Sequence, residues 1–243
     1  MNDISAILDS YEVDPVWQRR LYELLHANPE LSMQEEETHR RILHELKRFD
    51  CEVISPIGPY GVVAVFRNGE GPTVLFRADF DGLPVTEDTN VSYASHKMMT
   101  GRDGKTVGTM HACGHDLHTA GLYGALAWLV RRRGELTADV VAMFQPGEET
   151  GGGALHMIQE GLLEAAGRPV DAAYAIHVSS GTYPRGVLLS RPGAIQAGCD
   201  DLVVTVHGRG GHGSVPHLAQ DPVPVAAEMV LALQSVVTRQ FDA

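Results

Sequence analysis

One eight-residue stretch, from His111 to His118, concentrates side chains that can bind a metal ion or move a proton. It reads HACGHDLH, so imidazoles, a thiol and a carboxylate follow one another closely. A plain core segment has no use for such a density, because buried polar side chains need partners. The stretch follows a glycine-containing loop and opens an apolar, helix-like segment. We therefore expect it to form a functional site at the mouth of a helix.

Two further polar groups end apolar runs downstream. Glu148 and Glu149 follow the run at 140–144, and His177 ends the run at 172–178. Taken singly, a histidine or a pair of glutamates is more often a solvated surface feature. Because the three groups would lie at successive strand ends, their joint placement indicates a single metal site.

The residue types suit a dinuclear hydrolytic centre, which needs several N, O and S donors and a base beside an activated water. A helix N-terminus lowers the pKa of a thiol, so Cys113 would favour thiolate ligation, beside His115. Glu148 and Glu149 point opposite ways in an extended chain, so one can bind metal while the other faces the water. His177 would add a neutral imidazole.

The order of elements predicts the scaffold of this site. Strands are predicted at 51–55, 61–67, 73–79, 139–144 and 172–178, and helices at 14–28, 33–49, 116–133 and 153–165. This alternation predicts an α/β fold with a mixed, mainly parallel sheet flanked by helices. Ligands of such sheets gather at the carboxyl ends of the strands, where the polar groups are expected.

The pattern changes after residue 193. A strand at 201–207 and an amphipathic helix at 221–240 follow, too few elements to close a layered domain. We expect residues 1–195 to form a catalytic metal-binding domain that lacks its C-terminal return segment. Residues 196–243 would form the first half of a smaller α+β lid or dimerisation domain. The apolar face of its helix would be exposed and would favour association.

The bulk composition excludes several classes of protein. The 243 residues carry a net charge of −12, which disfavours nucleic acids and anionic membranes as partners. Three cysteines without close spacing argue against a disulfide framework. No signal peptide and no membrane-spanning run of about 20 apolar residues is visible, so we expect a cytoplasmic protein.

Several motifs together carry a family resemblance. They are NPELS at 28–32, RADFDGLP at 77–84, MHACGHD at 110–116, FQPGEE at 144–149, HV at 177–178 and GRGGHG at 208–213. In this order they resemble the dimetal aminoacylase/carboxypeptidase family. The similarity is to its branch of N-acyl-amino-acid amidohydrolases, hippurate hydrolases and indoleacetyl-amino-acid hydrolases.

The resemblance implies a metal-dependent amidohydrolase that cleaves the amide bond of N-acyl amino acids, with a metal-activated water and Glu148 as general base. The metal ligands that it implies are Cys113, His115, Glu149 and His177. They would hold two divalent ions, and this donor set suits zinc, manganese, cobalt or nickel. The implied partners are a small-molecule substrate and a second copy of the chain, bound through the lid.

The resemblance also assigns supporting roles. Asp81 is expected to orient a ligand near the metals, and Asp79 is a second candidate for the same task. His212, from the lid, would stabilise the oxyanion or the substrate carboxylate. His217 would shape the same loop.

Alternative functions remain open at this point. Chains of the family are longer, with more lid strands and a last histidine ligand, so this chain could be a truncated, inactive metal-binding or dimerisation fragment. A thiol hydrolase using Cys113 and His115 would leave the glutamate pair unexplained. A dinucleotide-binding loop at 208–213 fits G-x-G-x-x-G, but Pro216 and Pro222 interrupt any helix directly after it.

Overall fold

The computed structural model describes residues 14–181, 183–196 and 202–240. The helices are α1 (Pro15–His26), α2 (Glu36–Leu46), α3 (His115–Arg131), α4 (Gly153–Gln159) and α5 (Pro222–Gln240). The strands are β1 (Glu52–Ile57), β2 (Gly61–Phe66), β3 (Thr73–Asp79), β4 (Met98–Thr100), β5 (Thr106–Gly108), β6 (Asp139–Gln145) and β7 (Ala172–Ala175). The chain divides into two compact units, Met1–Thr182 and Tyr183–Ala243.

The first unit is built on a five-stranded mixed sheet with the order β1-β2-β6-β3-β7. Strands β1 and β2 pair antiparallel, as do β2 and β6, while β3 pairs parallel with both β6 and β7. In the β3–β6 register Asp79 lies opposite Gln145, so both strands end at the same edge. Residues that follow β3, β6 and β7 therefore meet at one edge of the sheet.

The two central strands β2 and β6 are buried along their whole length. Alternate side chains point to opposite faces of a strand, so each strand contributes side chains to a hydrophobic core on either face of the sheet. The core on one face packs α1, α2 and α3 against Val62, Ala64 and Phe144. On the other face, Met157 of α4 packs against Val63 and Val141. The unit thus has three layers, with the sheet in the middle.

The expected fold class, a mixed sheet flanked by helices, is confirmed, and two of its four strand pairings are parallel. Helix α1 begins where the sequence suggests, because the Asp14 carboxylate accepts the backbone N–H of Val16 and Trp17, and Pro15 occupies the first turn. The β4–β5 hairpin was not predicted. Its strands have three residues each, and Met98 is exposed, so no alternating pattern marks them.

The second unit contains α5, where Asp221 accepts the N–H of Val223 at the first turn. Most side chains of the predicted apolar face of α5 are exposed, namely Val223, Val225, Leu231, Leu233, Val236 and Val237, whereas Met229 is partly buried. The predicted strand at 201–207 is not seen at residues 202–207, which have no hydrogen-bonded neighbouring strand within the described ranges. The boundary predicted between residues 195 and 196 stays a prediction. No helix in the described parts of the chain is long and apolar enough to cross a membrane.

Candidate metal centre

The end of β3 delivers two buried carboxylates to the sheet edge. Asp79 and Asp81 are 0% and 1% exposed, and Phe80 between them points into the core. Asp81 accepts hydrogen bonds through Oδ2 from Ser32 Oγ at 2.5 Å and from the backbone N–H of Glu149 at 3.0 Å. Asp81 thus ties the end of β3 to the turn that follows β6.

Helix α3 brings the central cysteine and histidine to the same edge. Gly114 precedes the first turn of α3 with φ +79°, a conformation that glycine adopts at little cost. A Cβ atom at this position would lie 2.4 Å from Cγ2 of Val178. Glycine therefore lets the start of α3 pack directly against the segment that follows β7.

His115 is fully buried and is held by Asp81. Its Nδ1 lies 2.9 Å from the backbone oxygen of Asp81 and 3.2 Å from Oδ1. Burial opposes protonation of His115, but the Asp81 hydrogen bond and the neighbouring carboxylates outweigh it and raise its pKa. Since Asp81 accepts the Nδ1 proton, Nε2 is the nitrogen left to bind a ligand.

Nε2 of His115 faces three carboxylates without a hydrogen bond. It lies 3.7 Å from Oε1 of Glu149, 3.7 Å from Oδ2 of Asp79 and 3.9 Å from Oε2 of Glu148. Both His115 Nε2 and Glu149 Oε1 are buried atoms without a hydrogen-bond partner in the described residues. Such atoms are costly to bury unless something occupies the space between them.

Cys113, His115 and Glu149 form a compact donor set. Their ligand atoms all lie within 4.8 Å of one another. Thiolate, imidazole and carboxylate are the donors that zinc and related divalent ions accept in proteins. The two unpartnered atoms of this set fit a bound cation.

The expectation of a lowered thiol pKa at Cys113 is wrong for the metal-free chain. Burial, a hydrogen bond to Glu149 and the charges of Glu149, Glu148 and Asp79 raise the pKa of this thiol to about 12. Burial and these carboxylates raise the pKa, and Cys113 lies one residue before the capping Gly114, outside the first turn of α3. A thiol this hard to ionise is a poor nucleophile, whereas a cation between the carboxylates would offset their charge.

A second set of potential donors, Asp79, His115 and His118, also lies within 4.8 Å. In this set, however, His118 uses both ring nitrogens. Nδ1 bonds Asp79 Oδ1 at 2.6 Å, and Nε2 accepts the N–H of Val178 at 2.9 Å. Arg77 Nη2 also lies 2.8 Å from Asp79 Oδ2, as an ion pair without hydrogen-bonding geometry. We interpret this set as a supporting network and not as a metal cage.

Asp79 and Asp81 are both held as carboxylates by this network. Burial favours the neutral acid at each position. At Asp79 the hydrogen bond from His118 and the charges of His115 and Arg77 outweigh burial and lower the pKa. At Asp81 the hydrogen bonds from His115, Ser32 and the Glu149 backbone have the same effect on the pKa.

His177 lies beside this group but outside the compact donor set. Its ring centroid is 6.1 Å from that of His115 and 4.7 Å from that of His118. Its Nδ1 bonds the backbone oxygen of Val178 at 2.6 Å, which leaves the Nε2 lone pair for a ligand. The geometry is compatible with the predicted role of His177, which stays a prediction.

Sequence reasoning missed Glu35, which contacts the turn that contains Glu148 and Glu149. Its carboxyl group is fully buried, and Oε1 accepts the N–H of Gly147 at 2.7 Å. Burial raises the pKa of Glu35 to about 7. Three consecutive glutamates at 35–37 read as a solvated helix start, so no local signal marks the first as buried.

His26, which belongs to the sequence motif in the first helical hairpin but for which no role was predicted, binds the start of α3. Its Nδ1 bonds Asp116 at 2.7 Å and its Nε2 bonds Glu87 at 2.9 Å. The Asp116 hydrogen bond, opposed by burial and aided by Glu87, raises the pKa of His26 to about 9. This imidazolium links α1, α3 and the loop that contains Glu87.

His212 belongs to the second unit, where it is exposed and its Nδ1 lies 2.8 Å from Ser214 Oγ. His217 lies in a short 3-10 helix, Pro216–Leu218. Their predicted roles at the substrate and in the loop remain predictions.

Known proteins of one family are similar to this chain in sequence. The profile of peptidase family M20/M25/M40 matches residues 75–243. The chain is 38% identical to thermostable carboxypeptidase 2 of Saccharolobus solfataricus, over 99% of this chain and 57% of that protein. It is 37% identical to N-acetylcysteine deacetylase of Bacillus subtilis, over 90% of this chain and 54% of that protein.

The fold agrees with a solved structure. The YXEP protein of Bacillus subtilis, described as a dinuclear metal binding peptidase from the M20 family, superposes with a TM-score of 0.60 at 37% identity. That alignment covers 68% of this chain and 44% of the other. The chain thus spans about half the length of the curated relatives that it matches.

Proposed function

The chain belongs to peptidase family M20/M25/M40, and we propose that it is a metal-dependent amidohydrolase acting on N-acyl amino acids. The observation that carries the proposal is the pair of buried, unpartnered atoms, His115 Nε2 and Glu149 Oε1, facing each other at 3.7 Å beside Cys113. The acyl-amino-acid substrate class is supported by the relative named N-acetylcysteine deacetylase.

In this proposal Cys113, His115, Glu149 and His177 hold two divalent ions. The compact set of the first three residues supports this assignment, and the ring of His177 lies near them. The name of the solved relative, a dinuclear metal binding peptidase, supports two ions rather than one. Zinc, manganese, cobalt and nickel all suit these donors.

Bound divalent ions supply Lewis-acid chemistry, lowering the pKa of water and polarising a carbonyl oxygen. Glu148 is the proposed general base and acid, which takes a proton from the attacking water and returns it to the leaving amine. The side chain of Glu148 is 39% exposed, and its Oε2 lies 3.9 Å from Nε2 of His115. Asp81 orients His115 and Glu149 by the hydrogen bonds described above. His212 is proposed to contact the oxyanion or the substrate carboxylate.

The test is hydrolysis by the 243-residue chain. Metal-free protein is reloaded with zinc, manganese, cobalt or nickel and assayed on N-acetyl amino acids and N-benzoylglycine for release of the free amino acid. We expect turnover that a chelator abolishes and added metal restores. Bound metal without turnover on any substrate would favour the alternative of an inactive metal-binding fragment.

A thiol hydrolase is the second candidate that the assay separates. It would resist the chelator and be blocked by a thiol reagent. The raised pKa of Cys113 argues against it.

The remaining parts of the proposal concern domain organisation, oligomeric state and cellular location. We propose a catalytic domain at 1–195, the start of a lid at 196–243, homodimerisation through that lid and a cytoplasmic location. Exposed apolar side chains on α5, such as Leu231 and Val237, support association. Sedimentation of the purified chain tests the dimer.

A further inference from the structure

We propose that His118 is a positioning residue of the metal centre, which holds the backbone N–H of Val178 and thereby places the imidazole of His177. The inference rests on the proposed function, since it takes His177 as a ligand. Its geometric part, a link from Asp79 through His118 to Val178, can be measured without any metal or substrate.

The two partners of His118 allow one arrangement of its protons. The Asp79 carboxylate only accepts, so Nδ1, at 2.6 Å, must carry a proton. The backbone N–H of Val178 only donates, so Nε2, at 2.9 Å, must be free of one. His118 is therefore the neutral Nδ1–H tautomer, and Asp79 fixes that tautomer.

Both ring nitrogens of His118 are thus used, which removes it from the set of metal ligands. The side chain is buried, 2% exposed, between the end of β3 and the segment after β7. It differs in this from His115, whose Nε2 has no hydrogen-bond partner in the described residues. Two histidines three residues apart on α3 therefore divide into a ligand and a support.

The segment after β7 needs such a support. Strand β7 ends at Ala175, and His177 follows where the sheet no longer supplies backbone partners. Ile176 is 67% exposed, and His177 is also exposed, so apolar packing holds this stretch weakly. Val178 is held at its N–H by His118 and at its side chain by contact with Gly114. The N–H bond sets where the preceding residue, His177, lies against the ring of His118.

Two substitutions separate the two halves of the link. In His118→Gln the amide reaches the position of Nε2, so its oxygen can still accept the N–H of Val178 while the bond to Asp79 is lost. In His118→Asn the amide reaches the position of Nδ1, so Asp79 keeps a partner while Val178 loses its acceptor. The pair is matched in chemistry and differs in which partner survives.

The first measurement is made on the metal-free, ¹⁵N-labelled chain. Long-range proton–nitrogen spectra should show His118 as the Nδ1–H tautomer, identified by the signal missing from His118→Gln. Hydrogen exchange of the Val178 amide should be at least about tenfold faster in His118→Asn than in the wild-type chain and slowed again in His118→Gln. An Nε2–H tautomer, or equal exchange in all three proteins, would overturn the proposal.

The second measurement is metal affinity, by zinc titration of the same proteins. Loss of a group that orients a ligand weakens metal binding about 10–100-fold, which we expect for His118→Asn and only partly for His118→Gln. Equal losses of affinity in both variants, accompanied by equal losses of thermal stability, would assign His118 a general structural role and overturn the inference. Failure of the proposed function would give a different result. The chain would bind metal and keep the link from Asp79 through His118 to Val178, but it would not hydrolyse any substrate.

Discussion

Two neighbouring strand ends at the site each contribute a pair of acidic residues, and the pairs have opposite environments. Asp79 ends β3 and Asp81 lies two residues further, and both are fully buried and receive hydrogen bonds from His118, His115 and Ser32. The second oxygen of Asp79, Oδ2, is held by an ion pair with Arg77. Glu148 and Glu149 follow β6, with side chains 39% and 19% exposed. Glu149 Oε1 has no hydrogen-bond partner within the described residues.

This difference in burial and hydrogen bonding indicates a different role for each acidic pair. A carboxylate whose oxygens are already paired fixes the position and tautomer of its partners, because moving it would break several bonds. A carboxylate with an unpaired oxygen at an open edge remains able to bind a cation or take a proton. The residue types are alike, so their hydrogen-bond partners decide between support and reactivity.

The largest expected effect comes from replacing the two partly buried glutamates one at a time. Glu148→Gln should lower the turnover of the metal-loaded chain about 10²–10⁴-fold, because an amide cannot accept the proton of the attacking water. Its metal content, measured by elemental analysis, should equal that of the wild-type chain.

Glu149→Gln is the matched comparison at the adjacent position. It should lose bound metal, since the amide gives up the charge that pairs with a cation. If Glu148→Gln kept near-full turnover, or if both variants lost metal equally, the assignment of base and ligand within this pair would be wrong.

A smaller effect is expected from the buried pair. Asp81→Asn keeps one acceptor oxygen but cannot serve His115, Ser32 and the Glu149 N–H together. We expect metal affinity to fall about 10–100-fold with the zinc titration as readout. Asp103→Asn, which alters an exposed carboxylate paired with Lys105, is the control and should bind as the wild-type chain does. Unchanged affinity in Asp81→Asn would show that the buried pair does not support the site.

Much of the fold followed from local pattern, and the family resemblance inferred from the motifs is confirmed. Strands β2 and β6 are continuous apolar runs, and α1 has a capping Asp14, so each is marked within its own residues. The polar stretch at 111–118 opens α3, as expected, but it follows the separate β4–β5 hairpin and not the end of a strand of the main sheet. Asp79 and Asp81 occupy the strand-end position instead.

The supporting contacts of Glu35 and His118 could not be predicted, because they join residues that are far apart in the chain. The bond from the Gly147 N–H to Glu35 joins residues 112 apart, and that from Val178 to His118 joins residues 60 apart. Nothing within either segment distinguishes a buried acid or histidine from a solvated one. Burial of a polar side chain is a property of the packed layers, so it is visible only once the sheet and helices are in place.

Glu35 sharpens the comparison between the acidic pairs, because it is as buried as Asp81 but lacks side-chain donors among the described residues. Its pKa is raised from 4.5 to about 7 by burial, whereas the pKa of Asp81 is lowered. A raised folded-state pKa means that Glu35 contributes stability below pH 4.5 and loses it as the pH rises through about 7. The hydrogen-bond donors that face a buried acid at this site thus decide whether its pKa is raised or lowered.

The smallest expected effect tests whether Glu35, unlike Asp81, is held as a neutral acid. Glu35→Gln keeps an oxygen for the N–H of Gly147 and removes the ionisation, so the metal-free variant should be more stable than the wild-type chain by about 1–2 kcal/mol at pH 8. The gap should shrink towards pH 4.5, as measured by urea unfolding at several pH values. Glu36→Gln, at the exposed first position of α2, controls for the change in net charge. A variant less stable than the wild-type chain at pH 8 would mean that Glu35 is held as an ion. The turn after β6 would then rest on a paired carboxylate, as the end of β3 does.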